Sequence, residues 1–156
     1  MSWPYENERK RVVEIARSWL GTPYHDCACI KGHGVDCAYL LKAVFEEAGL
    51  EAPIDVPTYS PQWFLHRDAE LYLNTVMDRA IEIDEAESLP GDVVLYQIGR
   101  CFAHGAIIVD PGFPVIIHAY KQAACVCLGE GNGGDLAQIA DGKPRPRRFF
   151  TRKDWR

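Results

Sequence analysis

The apolar positions in the first third of the chain recur every three or four residues, a spacing that predicts amphipathic helices. The first helix is predicted from Asn7 to Leu20, with one apolar face made of Val12, Ile15, Ala16 and Trp19. The second is predicted from Cys37 to Ala48, with one apolar face made of Leu41, Val44, Phe45 and Ala48. Gly21 and Gly49 follow these helices, and glycine is common just beyond a helix end.

A weaker periodic stretch from Asp68 to Met77 predicts a third helix, with one apolar face made of Ala69, Tyr72, Leu73 and Val76. Beyond it the pattern becomes that of strands and turns. The predicted strands are Ala80–Ile83, Val93–Ile98, Phe102–Val109, Val115–Tyr120, Ala124–Leu128 and Arg147–Phe150. The predicted turns and loops are residues 22–35, 51–62, 89–92, 110–112 and 129–142. Helices followed by antiparallel strands favour an α+β fold, with N-terminal helices packed on a central antiparallel sheet.

Length and composition indicate one globular domain over residues 1–156, since 47% of the residues are hydrophobic and 25% are charged. The net charge of −5 and the lack of a long basic stripe argue against a nucleic-acid partner. No run approaches the roughly 18 apolar residues of a membrane helix. The N-terminus is acidic, so we expect synthesis in the cytoplasm without a signal peptide. The six cysteines are then expected to be reduced thiols.

The start of the second helix carries the first candidate for chemistry. Asp36 is a favoured N-cap residue, which places Cys37 in the first turn of the helix. There the positive end of the helix dipole favours a thiolate, and the amide of Cys37 itself is a candidate oxyanion donor. A lone cysteine is more often a small buried core residue, so the nucleophile hypothesis depends on its partners.

Two histidines on consecutive predicted strands supply such partners. A hairpin centred on Pro111 sets His104 directly opposite His118, on the same face of the sheet, with Cβ atoms roughly 4.5–5.5 Å apart. A cysteine nucleophile needs a base, and the base needs a group that orients it. The sequence therefore predicts a constellation of Cys37, His104 and His118.

Several segments resemble, in the same order, the NlpC-type cell-wall cysteine peptidases of the papain-like superfamily. They are residues 19–24 (WLGTPY), 36–37 (DC), 89–96 (LPGDVVLY), 104–109 (HGAIIV) and 117–120 (IHAY), and the matches span residues 9–128. The form of the first loop, GTPYH followed by KGHGVDC, is most similar to the phage- and prophage-encoded branch of the family.

This resemblance implies a papain-like NlpC-type α+β fold with a Cys-His-His triad. Cys37 would be the nucleophile, His104 the general base and then acid, and His118 the residue that orients His104. Tyr24 and Asp36 would bind substrate or stabilise the oxyanion. The implied reaction is hydrolysis of amide bonds in peptidoglycan stem peptides, typically the γ-D-glutamyl–diamino acid bond, through a thioacyl-enzyme.

The resemblance also sets expectations about partners and location. It implies no cofactor and no metal, and the expected partners are peptidoglycan peptides or muropeptides, with phage tail proteins as further candidates. Without a signal peptide, such an enzyme would reach its substrate through a virion tail, on lysis, or as a cytoplasmic recycler of wall peptides. The chain departs from the family at Ala38 and Tyr39, where a small pair is usual, and at Cys27 and Cys29, where no cysteines are expected.

Three alternatives remain open at this stage. The pairs Cys27-Ala28-Cys29 and Cys125-Val126-Cys127, with His25 and His33 nearby, suggest a metal-binding module, although zinc sites more often have at least two intervening residues. An amidase or acyltransferase acting on a substrate other than cell wall would keep the fold and change the chemistry. A phage tail component with reduced activity would keep the fold alone.

Overall fold

A computed structural model describes residues 2–54, 70–110, 115–131 and 145–156 of the chain. The helices are α1 (Glu6–Ser18), α2 (Cys37–Glu47) and α3 (Leu71–Met77). The strands are β1 (Cys29–Ile30), β2 (Gly34–Val35), β3 (Ala80–Ile83), β4 (Val93–Ile98), β5 (Cys101–Ile108), β6 (Val115–Tyr120), β7 (Cys125–Glu130) and β8 (Arg147–Arg152).

An antiparallel sheet forms the centre of the described structure, with six strands in the order β3-β8-β4-β5-β6-β7. Apolar side chains from one face of this sheet join those of the three helices in the main core, which includes Val12, Val44, Leu73, Leu95, Ile107 and Ile117. The other face carries a smaller buried cluster that includes Val94, Tyr96, Ala106, Ile108 and Phe149. The predicted α+β arrangement is confirmed.

The element boundaries agree with the prediction to within a few residues wherever the structure describes them. Helix α2 begins at Cys37 as predicted, and β3, β4 and β6 have the predicted bounds. Strand β7 runs to Glu130, so the loop predicted from residue 129 begins later, and the first loop contains the unpredicted hairpin of β1 and β2. The predicted start of the third helix, most of the loop at 51–62 and the centre of the turn at 110–112 lie outside the described residues.

The register between β5 and β6 differs from the prediction by two residues. Ile107 pairs with Ile117 and Ile108 with Ile116, whereas a direct His104–His118 pair would require Ile107 to face Val115. The two histidines are therefore diagonal neighbours. A shift by two residues leaves every side chain on its original face, so both still lie on the same side of the sheet.

A buried ion pair ties α1 to the turn before β4. Arg9 Nη1 lies 2.8 Å from Asp92 Oδ1 and donates to the carbonyl of Pro90, while Nη2 donates to Thr151 Oγ1. The second oxygen of Asp92 accepts the amide of Leu89. Burial raises the pKa of Asp92, and the Arg9 guanidinium opposes that rise. This network gives the LPGD segment a structural role.

We expect Arg9→Met to lower the free energy of unfolding by about 3–5 kcal/mol, because it leaves the buried Asp92 carboxylate without its cation. Urea denaturation measures the loss. Lys10→Met is the matched control, since the Lys10–Glu6 pair is exposed and such pairs contribute at most about 1 kcal/mol. Equal losses in the two variants would contradict the role of the buried pair.

Candidate active site

Asp36 fixes the start of α2. Its Oδ1 accepts the amide of Tyr39 at 2.9 Å and its Oδ2 accepts the amide of Cys27 at 2.8 Å. The N-cap prediction is confirmed, and the same carboxylate also holds the preceding loop, in which Cys27 adopts a left-handed backbone conformation with φ of 59°. Asp36 therefore positions Cys37, and its role toward substrate stays a prediction.

The sulfur of Cys37 lies against the backbone of β5 on both sides of His104. Cys37 Sγ donates a hydrogen bond to the carbonyl of Ala103 at 3.6 Å. The nearby backbone amides of Gly105, Ala38 and Cys37 itself lower the pKa of this thiol. The sulfur of Cys37 thus lies beside main-chain groups of residues 103–105.

A bulge and an incomplete strand pair accompany this contact. Tyr96 pairs with His104 and Gln97 with Phe102, so Ala103 is the extra residue on β5. In the described residues β5 and β6 pair at Ile107 and Ile108, short of the segment that contacts Cys37. Bulges commonly redirect side chains beside active sites.

The two histidines contact each other despite the diagonal register. His104 Nε2 lies 2.9 Å from His118 Nδ1, with ring centroids 5.1 Å apart and planes at 74°. The His118 ring stacks on Tyr120 with centroids 5.0 Å apart. A Cβ at Gly129 on β7 would lie 2.7 Å from His118 Nε2, so the absence of a side chain at Gly129 leaves room for the imidazole.

Burial sets the charge state of the three residues. It lowers the pKa of His118 to about 4, and it lowers that of His104 well below the usual value with help from His118 and Arg145. Burial and the Asp36 carboxylate raise the pKa of the Cys37 thiol to about 12, against the three backbone amides. Burial therefore favours a neutral thiol beside neutral imidazoles. Desolvation outweighs the helix start, which on its own would favour a thiolate.

Tyr24 lies near Cys37, and its role toward substrate stays a prediction. Its hydroxyl donates to Asp26 Oδ1 at 3.3 Å, and burial together with the nearby Cys37 raises its pKa, so the phenol keeps its proton. A cavity of about 300 Å³ is lined by Tyr24, His25, Asp26, Lys121 and Ala124. Tyr24 is thus both near Cys37 and at an opening in the surface.

Comparison with solved structures identifies the fold. NlpC2 from Trichomonas vaginalis matches with a TM-score of 0.61 and 19% identity over 93% of this chain and 46% of that one. The peptidoglycan hydrolase RipB from Mycobacterium tuberculosis matches at 0.58 and 20%, over 94% and 64%. The NlpC/p60 domain of the peptidoglycan hydrolase SagA matches at 0.58 and 16%, over 90% and 96%. The chain has the NlpC/P60 fold.

This chain spans less than two thirds of the first two of these structures and almost the whole of the SagA domain. No family model matches the sequence, and no match is found among curated proteins. The likeness to the NlpC/P60 fold is therefore one of structure at low identity, and it confirms the fold that the sequence motifs implied.

Tyr72 on α3 was not singled out as a site residue by the sequence. Its buried hydroxyl donates to the main-chain carbonyl of Cys37 at 3.0 Å. The pattern placed Tyr72 on the apolar face of the third helix, where a phenol is most simply a core residue. The signal that could have found it is a hydroxyl on a face that is otherwise apolar, because a buried tyrosine hydroxyl needs a partner.

The other cysteines lie in the first loop, on β5 and on β7, where Cys127 is the strand partner of His118. Within the described residues, which include all six cysteines, no disulfide is formed, and Cys29 Sγ is 3.8 Å from the carbonyl of Tyr39. Among the residues that the structure describes, no group of three or more histidine, cysteine, aspartate or glutamate side chains could hold a metal ion.

In the described part of the chain, no helix is long and apolar enough to cross a membrane.

The neutral histidine pair predicts an acid-sensitive fold. Between the usual histidine pKa of 6.5 and about 4, His118 is protonated in the unfolded chain but not in the folded one. The free energy of unfolding therefore falls as the pH falls through this window. His118→Asn should remove about 1.4 kcal/mol per pH unit from that slope, measured by urea denaturation. An unchanged slope would show that His118 is not held neutral.

Proposed function

We propose that this chain is a cysteine peptidase that hydrolyses amide bonds in the stem peptides of peptidoglycan. The observation that carries the proposal is the position of Cys37 Sγ, at the start of α2 and against the main chain on both sides of His104. His104 in turn lies 2.9 Å from His118. The NlpC/P60 fold supports a wall substrate, because two of the solved structures of this fold are described as peptidoglycan hydrolases.

The proposed reaction begins from the neutral pair. His104 Nε2 faces His118, which leaves Nδ1 to take the thiol proton as Cys37 Sγ attacks the substrate carbonyl carbon. Backbone amides at the start of α2 and the protonated Tyr24 hydroxyl are candidate donors to the developing oxyanion. Such a donor typically contributes about 3–4 kcal/mol to the transition state.

The remaining steps return the enzyme to its starting state. The amine leaves with the proton held by His104, and a thioester remains on Cys37. His104 then takes a proton from water as the water oxygen attacks the thioester carbon. The C–S bond breaks, His104 gives this proton to the leaving sulfur to restore the thiol, and the carboxylic acid product loses its proton to solvent. His118 holds the His104 ring and shares its proton through the Nε2–Nδ1 hydrogen bond.

The finer features of the proposal rest on the sequence motifs. We propose the γ-D-glutamyl–diamino acid bond as the bond cleaved, and membership of the phage or prophage branch, with phage tail proteins as partners. A virion tail or lysis would then bring the enzyme to the wall. The form of the first loop, GTPYH followed by KGHGVDC, supports this branch.

Digestion of defined muropeptides, read by mass spectrometry, tests the proposal. We expect wild-type protein to cleave, Cys37→Ala to be inactive and His104→Ala to lose at least ~10³-fold in rate, because each removes a reacting group. His118→Asn should retain partial activity, since it orients the base. Cys29→Ala is the control, because this exposed thiol lies outside the histidine pair and should leave the rate unchanged.

The fragment masses identify the bond. Cleavage at the γ-D-glutamyl bond supports the finer proposal, and cleavage at another amide of the stem corrects it. Full activity in Cys37→Ala would contradict the mechanism. No cleavage by the wild type would favour an amidase or acyltransferase acting on a substrate other than cell wall, or a tail component with reduced activity.

A further inference from the structure

Tyr72 connects a third element to the nucleophile. Helix α3 carries this side chain into the main core, and its hydroxyl donates to the carbonyl of Cys37 at 3.0 Å. Burial raises its pKa well above the usual value, so the hydroxyl stays protonated and remains a donor. The contact is with the backbone of Cys37, so it bears on where the first turn of α2 lies.

The same hydroxyl lies over Gly105 of β5. A Cβ at Gly105 would overlap the Tyr72 hydroxyl and lie 2.8 Å from Cζ, closer than side-chain carbons pack. The amide of Gly105 lies near enough to Cys37 Sγ to lower the pKa of the thiol. Tyr72 therefore contacts both the carbonyl of Cys37 and Gly105, and Gly105 is in turn close to the sulfur of Cys37.

We infer that Tyr72 is a positioning residue that holds the first turn of α2 against β5, and that Gly105 lacks a side chain so that the Tyr72 hydroxyl can occupy this space. The inference extends the proposed function, since it assigns a role in placing the nucleophile of that reaction. A role in core packing alone would reside in the ring of Tyr72. A role in positioning resides in the hydroxyl, which contacts both Cys37 and Gly105.

Tyr72→Phe separates these two roles, because it keeps the ring and removes the hydroxyl. We expect kcat on muropeptides to fall by about 10- to 100-fold with KM little changed, as small displacements of a reacting group produce losses of this size. Thr75→Val is the matched control, since it removes a hydroxyl that bonds within α3, to the carbonyl of Leu71. An unchanged kcat in Tyr72→Phe, or an equal loss in Thr75→Val, would overturn the inference.

A double-mutant cycle tests the part played by Gly105. Gly105→Ala should reduce kcat strongly in the wild-type background, because the new Cβ displaces the Tyr72 hydroxyl. The same change should have a smaller effect in Tyr72→Phe, where the closest overlap has been removed and the contact with the ring carbon remains. Coupling of this sign supports the inference, and independent, multiplicative effects overturn it.

Alkylation of Cys37 makes the test independent of hydrolysis. Without the Tyr72 hydroxyl to hold the turn, we expect Cys37 Sγ to move away from the Gly105 amide, so that the pKa of the thiol rises. A rise of one unit slows reaction with iodoacetamide at pH 8 about tenfold, since the thiolate is the nucleophile. Slower labelling of Cys37 in Tyr72→Phe than in Thr75→Val supports the inference even if the wild type cleaves no muropeptide. Equal labelling rates overturn it.

Discussion

The contact between the sulfur of Cys37 and the main chain of β5 is the constraint on which the rest of the site depends. Asp36 starts α2 where the sulfur can reach this strand, and the bulge at Ala103 lies in the segment that the sulfur contacts. Because the contacts are with backbone groups of residues 103 and 105, they hold the sulfur of Cys37 beside the main chain at His104. The helices and sheet of the NlpC/P60 fold thus hold the thiol of Cys37 against β5.

Burial of the site also affects the charge state of its residues. Burial of Cys37, His104 and His118 disfavours charge on all three residues, which favours a neutral thiol and neutral imidazoles. In the proposed reaction, attack then requires the proton of Cys37 to move to His104 as the carbon–sulfur bond forms. The Nε2–Nδ1 bond to His118 matters in this setting, because it fixes which nitrogen of His104 is free to accept that proton. The buried position of these residues thus underlies both the orientation of His104 and the neutral charge state of the site.

Much of this arrangement follows from local sequence patterns. The N-cap at Asp36, the start of α2 and the shared face of His104 and His118 follow from capping chemistry and from the period of a strand. The two-residue register shift could not be predicted, since it depends on a turn whose length the pattern leaves open. The roles of Gly129 and Tyr72 depend on contacts across the fold. The helix start that favours a thiolate is visible in the sequence. The burial that raises the pKa of the Cys37 thiol depends on the folded structure, so the sequence could not predict it.

The most direct test of the account is to trap the acyl-enzyme. Enzyme in excess over a defined muropeptide is quenched in acid at successive times, digested and examined by mass spectrometry. The account predicts that the Cys37 peptide gains the mass of the acyl half of the substrate before the carboxylate product appears, and then loses it. Acylation of a different cysteine, or product that accumulates with Cys37 unmodified at every time, would contradict it.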